Sequence, residues 1–382
     1  MGFSGVCVSC GRTSQVSIDA VECGFCSGPL TLRRPTLSVD DLPIGQHVAG
    51  VWRYARWLPS VSTVSIGEPM TPLLDAPDLG RRVHLKLDSL LPTGSFKDRG
   101  SSVVAGWLHA TETSSVITDS SGNAGASLTA YATSIGVKCR VFMPAGTSDA
   151  KVRQVQILGG EVTIVEGDRR AAETAAKLES SSSAPYIAHS RNPFFIEGAR
   201  TWAFEVWEQL ERKAPAAVVL PVGAGTLAVG CYLGFFDLHA AGLIDSMPRI
   251  LGVQSEACSP LVDAFHEHPE RFDEAAQPGS PKPFAEGIAI SRPVRKAQIL
   301  ESVRATNGDL IRVSDNDIRE AIRRLTSRGV LVEPSGAVAA AGLARAGAIE
   351  SASEGSIVVA VTGHGWKDFS GVEMSVRLRE DK

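Results

Sequence analysis

An α/β fold, with mainly parallel sheets covered by helices on both faces, is predicted by three features of the sequence. Strand-like and helix-like runs alternate from residue 103 to residue 375, the pattern of strand–helix–strand units. The most apolar runs, 216–222 and 357–361, have the length of buried strands. Polar, glycine-rich loops follow such runs, at the strand ends where ligands of these folds sit. The 382 residues suffice for two ordinary domains and a small appendage. With 43% hydrophobic and 21% charged residues the composition is globular. A net charge of −4 without a basic block argues against a nucleic-acid partner. No apolar run reaches the roughly eighteen residues of a membrane span. The N-terminus lacks a basic region and an apolar signal core, so a cytoplasmic location is expected.

Taken in order, the chain opens on Cys7-Val8-Ser9-Cys10 and Cys23-Gly24-Phe25-Cys26, two C-x2-C knuckles twelve residues apart. Four thiolates so spaced suit tetrahedral zinc in a structural role. The alternative is a ribbon that keeps its fold without metal. Cys139, Cys231 and Cys258 stand in apolar surroundings and read as buried small hydrophobes. Residues 51–58 form an aromatic, basic stretch expected as an amphipathic helix on the main body. Residues 84–88 alternate as a strand and lead into Leu91-Pro92-Thr93-Gly94-Ser95-Phe96-Lys97-Asp98-Arg99-Gly100. This stretch combines turn residues, a helix start and a lysine. Taken alone, it describes a solvated surface lysine. At the first turn of a helix, however, the dipole disfavours the ammonium form and helps free the amine as a nucleophile.

Further strands are expected at 115–119, 137–144, 161–165, 186–189, 216–222, 250–254 and 357–361. Helices are expected at 126–135, 151–158, 169–180 and 197–213. Residues 265–283 read as a surface excursion. Three loops after strands carry the chemistry. Gly223-Ala224-Gly225-Thr226-Leu227 opens a helix, where backbone N–H groups suit a phosphate dianion. It matches neither the dinucleotide fingerprint nor the ATP phosphate loop. Ser120-Ser121-Gly122-Asn123 offers hydroxyls, an amide and unblocked N–H groups for a carboxylate or phenolate. Thr362 follows the last strand, where a hydroxyl could hydrogen-bond an aromatic nitrogen. His364, between two glycines, reads as a turn residue in preference to a base.

Lysine, phosphate loop, amide loop and strand-end hydroxyl together describe a site for pyridoxal 5′-phosphate. The stretch Pro92–Gly100 resembles the cofactor-lysine motif of threonine synthases. Ser121-Gly122-Asn123 resembles their asparagine loop, and Thr362-Gly363-His364-Gly365-Trp366-Lys367-Asp368 their closing motif. The cysteine pairs, ending Cys26-Ser27-Gly28-Pro29-Leu30, resemble the ribbon that precedes many of them. The resemblance covers essentially the whole chain and implies a fold-type II pyridoxal-phosphate enzyme. Two three-layer α/β/α domains are then expected after a zinc-ribbon-like four-cysteine segment at 1–36. The large cofactor-binding domain would take 37–102 and 205–382, the small mobile domain 103–204.

The same resemblance implies roles. Lys97 would hold the cofactor covalently and then shuttle the substrate's Cα proton. Asn123 would bond the ring oxygen, Gly223, Ala224, Gly225, Thr226 and Leu227 the phosphate, and Thr362 the ring nitrogen. Ser120, Ser121, Gly122 and Ser190 would contact the substrate. Cys7, Cys10, Cys23 and Cys26 would hold structural Zn2+. A homodimer and a small amino-acid substrate are expected.

Three departures bear on the substrate. Ala124 stands where Thr is usual, and the phosphate loop is closer to dehydratase relatives. Phe195 occupies the position of an Arg that would bind the phosphate of phosphohomoserine. An apolar ring cannot replace a bidentate cation, and Arg191 and Lys151 are the nearby candidates to compensate. Elimination and replacement at the β or γ carbon is the expected chemistry. The alternatives are serine or threonine dehydration and a non-catalytic binding protein, the latter disfavoured by the intact Lys97, Asn123 and Thr362.

Overall fold

The computed structural model describes residues 2–38, 48–80, 82–120, 122–266, 283–345 and 355–377. Ser121 and residues 267–282 of the expected excursion lie outside them. The chain forms two compact units, one from 1–70 and 91–201, the other from 71–90 and 202–382. These divisions differ from the expected 36/37, 102/103 and 204/205. The four-cysteine segment belongs to the first unit because Cys7, Cys23, Leu30 and Leu32 share one core with Trp107, Phe194 and Phe195.

The first unit begins with an antiparallel ribbon of β1 (Phe3–Cys7), β2 (Thr13–Val16) and β3 (Leu30–Leu32), ordered β2-β1-β3. A short 3-10 helix, Val51–Trp57, buries Val51, Trp52, Tyr54 and Trp57, as the aromatic stretch predicts. The unit's other sheet is parallel: β6 (Ser115–Asp119), β7 (Lys138–Pro144) and β8 (Glu161–Val165), ordered β6-β7-β8. Its helices are α1 (Lys97–Ala110), α2 (Asn123–Ser134), α3 (Asp149–Ile157) and α4 (Arg169–Glu179). The chain leaves this unit along α5 (Pro193–Gln209).

The expected strand at 186–189 reduces to a single bridge between Tyr186 and Ile117. Ile187 N–H donates to the Ile117 carbonyl at 2.7 Å, and pairing then stops. Asn192 Oδ1 accepts the Phe194 N–H at 2.9 Å, which starts α5 at Pro193, four residues ahead of expectation. An Asn before a Pro is a strong helix start, because the amide caps an orphan N–H and Pro has none to satisfy.

The second unit is built on a six-stranded sheet. Its strands are β4 (Leu73–Asp75), β5 (Val83–Leu87), β9 (Ala217–Pro221), β10 (Arg249–Ser255), β11 (Asp309–Val313) and β12 (Ile357–Val361). They are ordered β11-β10-β9-β12-β5-β4. All neighbours pair in parallel except β4 with β5. Every residue of β9 and β12 is buried, as central parallel strands require. Helices α6 (Thr226–Ala240), α7 (Pro260–His266) and α8 (Lys296–Ala305) pack on this sheet, as does α10 (Pro334–Arg345). Helix α9 (Asp315–Ser327) opens with a Ser314–Asp317 capping box. No helix among the described residues is long and apolar enough to cross a membrane.

Candidate active site

In the first unit the predicted residues gather at two helix starts. Lys97 is the first residue of α1, and its Nζ lies 4.1 Å from the centre of the Phe96 ring. The turn before it is tied down by Asp98, which is fully buried. One Asp98 oxygen accepts the Thr93 N–H at 2.7 Å, and the other accepts the hydroxyls of Thr93 and Ser127. Ser127 lies on α2 and its hydroxyl also meets that of Ser101 at 2.7 Å. Asp98 thereby locks the start of α1 to the helix that begins at Asn123. The acid was visible in the sequence; its partner, 29 residues on, was not.

The predicted Ser120, Gly122 and Asn123 run from the carboxyl end of β6 into α2. The Ser120 hydroxyl accepts the Gly122 N–H at 3.3 Å, which shapes the loop. Directly before it, the Asp119 carboxylate accepts a short hydrogen bond from Tyr186 and lies 3.7 Å from Arg169. Burial raises the pKa of Asp119 against the pull of that cation. Ser190 is half-buried in the segment before α5. Its neighbour His189 stacks edge-on to Phe195 at 5.5 Å, and burial, with Lys97 and Arg169 adding to it, holds its pKa well below 6.5. The imidazole is neutral near pH 7.

Phe195 itself is turned inward. Its ring lies so close to Gly100, one turn after Lys97, that a Cβ there would sit 2.5 Å from it. The apolar side chain therefore belongs to the packing of α1. Arg191 is held by Glu22 at 2.9 Å and Glu173 at 3.4 Å, so two carboxylates already occupy this candidate replacement cation. Lys151 lies on α3, half-buried.

In the second unit, Gly223–Leu227 follows β9 and opens α6. Gly225 takes the left-handed conformation, φ 76°, and a Cβ there would lie 2.2 Å from Ile299 Cδ1. The Val229 N–H bonds back to the Gly225 carbonyl at 2.9 Å. Among the described residues, the N–H groups of Gly223 to Leu227 have no backbone acceptor, and the buried Thr226 hydroxyl has no partner. That cradle fits a phosphate, whose oxygens accept such donors at a helix start. Thr362 is 5% exposed at the end of β12. His364 Nδ1 accepts the Trp366 N–H at 3.3 Å, so this histidine is a turn residue, as expected.

The four thiols converge as the spacing predicts. Cys7 and Cys26 sulfurs are 3.5 Å apart, Cys10 and Cys23 sulfurs 3.7 Å, and all four lie within 4.8 Å of one another. Zn–S bonds of about 2.3 Å in a tetrahedron place sulfurs about 3.8 Å apart, so the donor set fits zinc. A hydrogen bond from the Phe25 N–H is the largest influence lowering the Cys23 thiol, to about 6.

Residues 64–363 match the family of pyridoxal-phosphate-dependent enzymes. The chain is 32% identical over 379 residues to the threonine synthase of Methanocaldococcus jannaschii, covering 95% of this chain and 92% of that protein. It is 33% identical over 338 residues to that of Mycobacterium leprae, covering 86% and 87%. Among solved structures, the processed threonine deaminase isoform 2 of Solanum lycopersicum superposes with a TM-score of 0.68 at 25% identity, over 92% of this chain and 97% of that one. With a cradle that fits the phosphate and a lysine at the helix start, the chain belongs to the pyridoxal-phosphate-dependent enzyme family.

Proposed function

We propose that this protein is a threonine synthase-like lyase that performs elimination and replacement at the β or γ carbon of an amino acid. The observation that carries the reading is the near full-length match to threonine synthases. Bound at the site, pyridoxal phosphate supplies the electron sink that loosens the substrate's Cα–H bond and its β and γ substituents. Gly223, Ala224, Gly225, Thr226 and Leu227 would hold its phosphate, Asn123 its ring oxygen and Thr362 its ring nitrogen. A neutral hydroxyl at Thr362 does not enforce a protonated ring. Lys97 Nζ would hold the cofactor and would carry the substrate's Cα proton. Ser120, Ser121 and Gly122 would hold the substrate carboxylate, and Ser190 would also contact the substrate.

Phosphohomoserine plus water giving threonine plus phosphate is the first reaction to test. Phe195 supports a second reading, dehydration of serine or threonine to a 2-oxo acid and ammonia, because it removes a phosphate-binding cation. The experiment mixes holoenzyme with phosphohomoserine, phosphoserine, serine and threonine in turn, measuring phosphate, threonine and 2-oxo acids. Phosphate and threonine in equal amounts from phosphohomoserine are expected. Pyruvate or 2-oxobutanoate without a replacement product selects dehydration. A homodimer is proposed on the resemblance alone, and sedimentation at micromolar concentration tests it.

A further inference from the structure

The four-cysteine ribbon touches the segment before and within the first turns of α5 at three places. Glu22, the residue before Cys23, pairs with Arg191 Nη1 at 2.9 Å, both side chains largely buried. Arg34, just past β3, pairs with Glu197 at 3.2 Å, and Glu197 is fully buried and also meets Arg200 at 3.1 Å. Phe3 of β1 meets Phe194 edge-on at 5.0 Å, and Phe194 stacks on Trp107 of α1 at 4.5 Å. The three contacts come from three different parts of the ribbon and fall within seven residues of α5 and its approach. That approach carries His189 and Ser190, and the Phe195 ring rests on α1 one turn from Lys97.

The ribbon has strands of five, four and three residues. So small a sheet leans on the core it shares with Trp107, Phe194 and Phe195, and a metal bound by four thiols within 4.8 Å of one another would pin the knuckles to one arrangement. Gly28 is packed so closely that a Cβ would lie 2.8 Å from Cys7 Sγ, so the knuckles have one tight arrangement. A metal at the thiols would therefore also fix the place of Glu22, Arg34 and Phe3, the three side chains that touch the segment.

We propose that the four-cysteine ribbon is a metal-dependent support for residues 189–200, and that Glu22 and Arg34 are positioning residues which set how tightly the substrate is held. The substrate effect rests on the function proposed above; the structural effect does not.

The test uses holoenzyme before and after zinc is withdrawn by a chelator, with metal content measured, and the Cys26→Ser variant beside it. Amide hydrogen exchange of peptides over 187–200 is expected to accelerate at least about fivefold, while peptides over β9 and β12 stay unchanged. Glu22→Gln is expected to raise KM by at least about fivefold with kcat nearly constant and the cofactor's absorbance retained. Glu22→Asp restores most of the affinity, and Glu22→Gln adds nothing once the metal is gone. Unchanged exchange over 187–200 after zinc loss overturns the proposal. So does equal acceleration in β9 and β12, which would mean general destabilisation, and so does purified protein that holds no metal. If Cys26→Ser fails to fold, the chelated wild type decides. An exchange response in a protein that turns over none of the four amino acids sustains the support and sinks the proposed reaction.

Discussion

The two units carry different kinds of chemistry. The first holds the proposed site side chains: Lys97, Asn123, Ser120 and Ser190 stand at helix starts and loops, near Asp98 and ion pairs. Its sheet ends in β8, none of whose residues is fully buried. The second contributes mostly backbone: the Gly223–Leu227 cradle hangs from β9, all of whose residues are buried. A reactive side chain needs polar neighbours to fix its position and protonation, so its surroundings bury polar and charged groups. A backbone cradle needs only a rigid strand, so its surroundings are hydrophobic. Each unit also buries charge, Arg34–Glu197–Arg200 in the first and Lys86–Glu205 in the second. The Lys86 ammonium gains the Thr71 carbonyl and Gln209 as further acceptors, each at 2.7 Å.

Four experiments break or sharpen this contrast. Lys97→Ala removes the amine itself, so turnover should fall by at least about 10²- to 10⁴-fold; the absorbance of lysine-bound cofactor should vanish while the thermal transition stays. Arg34→Ala leaves the buried Glu197 paired with Arg200, so unfolding in urea should show a loss below the roughly 3–5 kcal/mol of a fully unpaired buried charge. Gly225→Ala forces an L residue into the left-handed region against Ile299, costing about 1–3 kcal/mol. Cofactor affinity should fall with it, read by titrating the apoenzyme with pyridoxal phosphate, because the cradle depends on that turn. The smallest effect concerns His189. Its folded pKa is depressed, so its stability contribution is complete above about pH 6.5 and declines as pH falls, by at most about 1.4 kcal/mol per pH unit. His189→Gln should flatten that acid limb, measured by urea unfolding between about pH 7.5 and 5. An acid limb unchanged by the substitution would assign it to other groups.

The helix start at Lys97, the strands 115–119 and 357–361 and the cradle at 223–227 were legible because local patterns encode them. Apolar periodicity marks strands and helices, and glycine with small polar residues marks the loops between. The four-cysteine cluster was legible for a related reason, since knuckle spacing fixes which sulfurs can converge. Less was readable between 290 and 330, where α8, β11 and α9 follow one another without an evident motif. Helix α5 starts ahead of its expected position although Asn192-Pro193 announces it, because apolar periodicity alone marks only 197–213.

By itself, then, the sequence determined the cofactor chemistry: a lysine, a phosphate cradle and a strand-end hydroxyl are short-range patterns whose residue types the chemistry demands. Only the tertiary structure decided how those groups are held. The Asp98–Ser127 bond, the inward turn of Phe195 onto Gly100 and the grip of Glu22 on Arg191 join residues up to 169 positions apart. Such contacts form because a buried polar group gains from a partner and an apolar ring from leaving water, and neither demand names its partner in advance along the chain.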